Sequence, residues 1–462
     1  MSCCFQCFFI FSSEILEYLS REINPLLQNQ TKIYNNNQHR YLTVKIKYFS
    51  SDSLSAAHLL GFKKSFNHRY CCRFCLTPKE NFTKIFFEKN VALRDKCFYE
   101  EAYRKCVDLD SNQDFFGITQ QSVLRFFYFD LSVDLFPPCI DHDIFKGILP
   151  KIVIFSLNYF VKKKFFSFSF FKNQLLEFKF SGKDKLNFPL IETEILSKIR
   201  FIAEEGYTFI RFYLNFLQLV PTNDEVFILL TIFAKTVLIL MSFEFSNEKI
   251  IMLDNLIEDF LKKCSLYPDQ LKMTIKFHHL VHYPRYIQNY GCPRFFSTRN
   301  FESMHSFLKS KFKNSKNWKS VPYTIASKYS RSNIAKPSEH INELGVRDFN
   351  TNIINLNCSN NVKSIKTLKY FNIIYKENKN VVFFKQTELK SLYLHIKYIL
   401  KIDNEYLFYG DLYESFYDEY KSIIILEETN EYSTIYLNNL SDLHSYELYK
   451  SQSYLYIVPY FF

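Results

Sequence analysis

Six side chains, widely separated along the chain, have the types and spacing of metal chemistry. Cys72 and Cys75 form a Cys-x-x-Cys pair, which is half of a tetrahedral zinc site. In "KFHHLVHYP", His278 and His282 stand four residues apart, so a helical turn places both imidazoles on one face and lets them share an ion. The four residues complete a Cys2His2 donor set. A packed helix with incidental histidines beside buried thiols would carry the same residues, and spacing leaves both readings open. Asp52 lies twenty residues before Cys72, and Glu302 lies twenty residues after His282. If zinc pins the two segments together, these carboxylates could meet across roughly 250 residues. Paired carboxylates suit two-metal phosphoryl transfer, in which Mg2+ ions take oxygen ligands, activate the attacking hydroxyl and stabilise the leaving oxygen.

The elements that must position these groups are legible from periodicity. "YLTVKIKYF" (Tyr41 to Phe49) alternates Leu42, Val44, Ile46 and Tyr48 with Thr43, Lys45 and Lys47, which predicts a half-buried strand ending just before Asp52. Leu253, Leu256, Ile257, Phe260, Leu261 and Cys264 recur at three and four, the stripe of an amphipathic helix. A similar stripe runs through Phe209, Phe212, Tyr213, Phe216 and Leu217, so residues 120–270 read as mostly helical. "SSEILEYLSREI" also reads as a helix. Val226 to Phe243 is apolar enough to suggest a membrane span, but Lys235 sits at its centre, and we read it as a buried helix. From Ser332 to Ser364 an Asn- and Ser-rich stretch without a sustained period predicts a linker. Beyond it, "NVVFF", "YLHIKYIL", "EYLFYG", "SIIILEE", "STIYLNN" and "SYLYIVPYFF" predict a small β domain.

Composition sets the outer bounds. A chain of 462 residues implies two or three domains. Its 47% hydrophobic content, with 8 Gly and 13 Pro, excludes a disordered polypeptide. The 52 Phe and 33 Tyr, together with abundant Asn, Lys and Ile, fit AT-rich coding, so aromatics alone carry little functional weight. A net charge of +11 suits a polyanion partner or a plain basic surface. Twelve Cys, with no basic residues ahead of the apolar "SCCFQCFFIF", predict reduced thiols or metal ligands in an intracellular protein with no membrane association.

The segments "DSLSAAHLLGFKKSFNHRYCCRFC", "FPPCIDHDIFKGI", "FSGKDKLN" and "KFHHLVHYPRYIQNYGCPRFFSTRNFESMHSFLK", in this order and followed by an aromatic β tail, resemble transposase-derived proteins of the CACTA, Mirage and Chapaev group. The similarity covers most of residues 35–330. It implies an α/β fold: a partial RNase H-like core interrupted by a large all-α insertion and followed by a small C-terminal β domain. The expected divisions are residues 1–90 for the first part of the core, 91–270 for the insertion and 271–331 for the segment completing the core. A linker at 332–364 and the β domain at 365–462 follow. Carried over, Asp52 matches the second and Glu302 the third acidic residue of a DDE triad, and Cys72, Cys75, His278 and His282 match the zinc ligands.

The departures also matter. No aspartate precedes Asp52, so the first acidic residue and the N-terminal DNA-binding module that the resemblance implies are not found in this sequence, as expected of a decayed or truncated copy or of an incomplete gene model. Asp141-His142-Asp143 and Lys146-Gly147 replace "MHD" and "EG", and Asn300 replaces an arginine. The resemblance implies a transposon-derived, DNA-directed protein, impaired in cleavage, with structural Zn2+ and with Mg2+ only if catalytic. The alternative is a non-catalytic, zinc-stabilised DNA or chromatin interaction protein, or a decayed transposon product. DNA is the expected partner, the location nuclear or otherwise intracellular, and homo-oligomerisation compatible. Lys309, Lys311, Lys313, Lys316 and Lys319 follow Glu302 and could neutralise phosphates, or form a solvated helix face. His305, one helical turn after Glu302, could orient it, while the role of His142 and Asp143 is not legible from spacing.

Overall fold

The computed structural model describes residues 13–29, 31–35, 38–108, 114–182, 184–188, 199–299, 301–304, 341–350, 362–370, 373–387, 390–403, 405–418, 423–440, 442–451 and 454–459, with a few isolated positions between them. The fold mixes helices with a C-terminal antiparallel sheet.

Helices dominate from Asp141 to Tyr290. A π-helical stretch, Asp141–Ile148, runs into the α-helix Leu149–Lys162. Ala203–Tyr213, Glu225–Leu240 and Asn247–Ser265 pack with it around one apolar core. Their starts follow cap chemistry. Asp224 accepts from the Val226 and Phe227 amides, and Ser246 accepts from that of Lys249, each satisfying donors that a helix N-terminus leaves without partners. The apolar stripe of the last helix faces inward as its spacing predicts, burying Leu253, Ile257, Phe260, Leu261 and Cys264. The apolar Glu225–Leu240 helix is likewise mostly buried in this core. By length and composition the Asp141–Lys162 stretch could cross a membrane, yet 67% of its apolar window is buried inside the protein, as in a core helix.

The N-terminal part differs from expectation. Helix Ser13–Gln28 is followed by a hairpin of β1 (Thr31–Asn35) and β2 (Gln38–Leu42), and among the described residues this antiparallel pair is the sheet of the first half. The strand predicted over Tyr41 to Phe49 ends at Leu42. Residues 43–48 keep the alternation, with Val44, Ile46 and Tyr48 half-buried and Thr43, Lys45 and Lys47 exposed, but no described strand pairs with them. Alternating burial needs only an extended chain over a core, whereas a ladder needs a neighbour.

The C-terminal strands are β3 (Ile341–Asp348), β4 (Val362–Tyr370), β5 (Ile373–Lys376), β6 (Asn380–Gln386), β7 (Ser391–Ile402), β8 (Glu405–Asp418), β9 (Ile423–Tyr436), β10 (Ser445–Lys450) and β11 (Leu455–Ile457). β3 and the start of β4 fall inside the stretch expected to be a linker, and they pair with each other from Ile341 opposite Tyr370 to Asp348 opposite Lys363. Pairing runs β7–β6–β10–β11–β9–β8, and β8 pairs again with β7, so six strands close into a barrel. Val381, Tyr393, Tyr413, Leu426, Tyr446 and Ile457, one from each strand of the ring, form a single buried cluster. Closure removes the open edges that an isolated sheet would present.

The barrel docks on the helices through Ile423, Tyr449, Tyr456 and Val458, which join the helical core. A buried ion pair reinforces the joint. Arg211 donates to both oxygens of Asp184 at 2.8 and 3.0 Å, Tyr449 donates to Asp184 at 3.0 Å, and Arg211 also reaches the Pro459 carbonyl at 3.3 Å.

Candidate functional site

Helix Ser53–Leu60 ends at Gly61, whose φ of 81° and close approach to the Gln120 carbonyl leave no room for a side chain. The turn sends the chain into the loop that carries Cys72 and Cys75. Arg94, itself buried, shapes that loop: its Nε donates to the carbonyls of Cys72 at 3.0 Å and Cys75 at 3.1 Å, and its Nη2 to that of Phe116 at 2.7 Å. Burial holds the Arg94 guanidinium down to about 10, so it remains a cation behind the two sulfurs at neutral pH.

From the other side, His278 lies in the last turn of the short helix Ile275–His279, and His282 closes the turn that follows. Cys72 Sγ lies 3.6 Å from His282 Nε2, and Cys75 Sγ lies 3.1 Å from His278 Nε2. All four donor atoms lie within 4.8 Å of one another, and all four residues are fully buried. This Cys2His2 cluster could hold a metal ion. Burial pushes the Cys72 thiol up, while the hydrogen bond with Cys72 and the neighbouring imidazoles hold Cys75 down.

The two imidazoles are fixed differently. His282 Nδ1–H donates to Glu88 Oε1 at 2.6 Å, which leaves Nε2 free to face the sulfurs. Arg285 holds the same carboxylate at 2.9 Å. Burial disfavours a charged His282, but Cys75 and Glu88 outweigh it and raise its pKa. His278 has no acceptor for Nδ1 among the described residues; its ring stacks on Phe82 at 4.2 Å. Glu88 lies in a short helical turn with no local signal of ligation, and sequence reasoning missed it.

The predicted carboxylates lie elsewhere. Asp52 caps helix Ser53–Leu60, accepting from the Ser55 amide at 2.6 Å. Glu302 lies 3.5 Å from His142 Nε2, and both Asp52 and Glu302 act electrostatically on that histidine. The two carboxylates therefore share His142 as an electrostatic neighbour. Both Glu302 oxygens are also held by Lys146, at 2.8 and 2.7 Å. Burial, and then Lys146, lowers the His142 pKa, so its ring is neutral near pH 7.

The three residues Asp141-His142-Asp143 resolve into three separate contacts. Asp141 accepts from Arg299 at 2.7 Å and from Ser297. His142 Nδ1 meets Cys139 and Thr298, each at 3.3 Å. Asp143 is 3.2 Å from His279 Nδ1 through each oxygen and also accepts from Tyr283 at 3.4 Å. Despite its burial, the His279 imidazole and Arg73 hold Asp143 below the usual carboxylate range. His305 and Lys309, Lys311, Lys313, Lys316 and Lys319 lie outside the described residues.

No family model matches the chain, and no curated protein matches it. The sequence and the geometry therefore carry the functional reading.

Proposed function

We propose that the chain is a zinc-stapled, DNA-directed protein of DDE-transposase descent that does not cut DNA. The observation that carries this reading is the closure of Cys72, Cys75, His278 and His282 across some 200 residues; separately, Asp52 and Glu302 both act on His142. Two sulfurs and two imidazole nitrogens are the donors that zinc prefers, and the tetrahedral site it forms has a sulfur-to-nitrogen separation of about 3.5 Å. A closed four-ligand site has no open position for water, so the ion is structural. About one Zn2+ per chain is expected by metal analysis. Equal zinc in the wild type and in the Cys72→Ser/His282→Ala variant would dispose of the site.

Charge indicates where DNA would lie. Residues 341–462 carry 12 basic and 15 acidic side chains, whereas residues 1–340 carry a net +14. The helical body is therefore the phosphate-binding side, and the barrel is not. Binding dominated by phosphates weakens steeply with salt and discriminates little among sequences. Anisotropy titrations of a labelled duplex across a salt series should show this, and replacing Lys309, Lys311, Lys313 and Lys316 with Ala should flatten the slope. A salt-independent affinity, or none at low salt, would remove DNA from the reading. A nuclear location goes with such a partner. Incubation with supercoiled DNA and Mg2+ or Mn2+ should produce no nicking. Nicking abolished by both Glu302→Gln and Asp52→Asn would establish a cleaving enzyme instead.

A further inference from the structure

The resemblance implies a divalent cation on Asp52 and Glu302, and the residues present do not fit one. We infer that Lys146 takes the cation's place: its ammonium group neutralises Glu302 and keeps divalent metal off the acidic pair. Lys146 Nζ lies almost equidistant from the two Glu302 oxygens, at 2.8 and 2.7 Å, on the line along which a metal would approach that carboxylate. The π-helical stretch Asp141–Ile148 supplies both Lys146 and His142, so the ammonium and the imidazole reach Glu302 from one rigid element.

The other carboxylates nearby are committed as well. Asp52 is the cap of its helix, Asp141 belongs to Arg299 and Ser297, and Asp143 belongs to His279 and Tyr283. His142 is neutral and adds no charge. The cluster of Asp52, Glu302 and Lys146 thus carries one net negative charge where the acidic pair alone would carry two. Mg2+ and Mn2+ would have to displace a tethered cation and then remain beside it, in competition with their own tightly held water. Lys146 is 26% and Glu302 47% exposed, so the obstacle is the ammonium group itself, since solvent already reaches the pair.

The inference rests on these contacts and not on the proposed DNA partner. The test is Mn2+ titration of the full zinc-loaded chain, with free Mn2+ read by its electron paramagnetic resonance signal. Wild type and Glu302→Gln should bind Mn2+ equally weakly. Lys146→Gln should bind roughly tenfold more tightly than wild type, and the gain should vanish in Lys146→Gln/Glu302→Gln. Unchanged zinc content and thermal melting would show that the variants are folded; Lys146→Met provides a second removal of the charge at similar length. Wild-type Mn2+ binding that Glu302→Gln abolishes would overturn the inference, and so would Lys146→Gln and Lys146→Met that gain nothing. A chain that passes this test but binds no DNA would lose the DNA reading and keep this one.

Discussion

Glu88 shows how a residue outside the donor set can govern it. Its carboxylate fixes the tautomer and orientation of His282 and raises the basicity of the ring, which is the usual work of an acceptor behind a metal-bound histidine. His278 has only ring stacking in that role, so the two histidines should differ in sensitivity to their surroundings. Glu88→Gln preserves shape and removes the charge. Zinc affinity should fall by roughly 10–100-fold, measured by competition with a chromophoric chelator. Equal affinity in the two proteins would mean that packing alone aims the imidazole. Arg94 acts on the opposite side: it ties the backbone carbonyls of both cysteines together and places a positive charge near their sulfurs.

At the scale of elements, the loop around Cys72 and Cys75 has only a small apolar cluster, centred on Phe74, Phe82 and Tyr286, and is held also by Arg94 and by the histidines across from it. Metal binding to such a loop is local folding energy. Chelation should therefore raise amide hydrogen exchange in residues 70–94 and 275–290 while leaving residues 380–457 unchanged. An equal rise in both regions would show that the metal supports the whole chain, and no rise would show that the loop stands without it. The π-helical stretch does complementary work. Its departure from α-helical spacing lets three consecutive side chains reach Arg299, Thr298 and His279, locking the segment that carries Lys146 to both the helix of the histidines and the turn before Glu302.

At the scale of the whole molecule, the barrel is joined to the helices by an apolar face that contains a buried ion pair. Arg211 and Asp184 are 2% and 3% exposed, so removing one partner strands the other charge away from water. Asp184→Ala should cost about 3–5 kcal/mol in urea unfolding. Tyr449→Phe, which deletes one hydrogen bond to the same carboxylate, should cost about 1 kcal/mol. A loss in Asp184→Ala no larger than in Tyr449→Phe would show that the guanidinium finds other acceptors, beginning with the Pro459 carbonyl it already touches.

What the sequence determined by itself was local. The three-and-four stripe from Leu253 to Cys264 settled which helix face is buried, because side-chain direction follows from backbone period. The Cys72/Cys75 and His278/His282 spacings offered a four-donor cluster beside the alternative of incidental buried residues, since two residues four apart on a helix and two three apart in a loop can each serve one ion, and it is the fold that brings the four together. The aromatic and β-branched runs after residue 379 announced strands. Tertiary structure decided what needed a distant partner. The alternation of residues 43–48 is realised as burial without a ladder, and the Asn-rich stretch near 341 became strand because β4 lies beside it. Barrel closure depends on β8 returning to β7, which no strand's own period contains. Glu88 behind His282 is a hydrogen bond across 194 residues and Lys146 on Glu302 an ion pair across 156, and a polar group's partner is set by where the chain brings it, not by its neighbours in sequence.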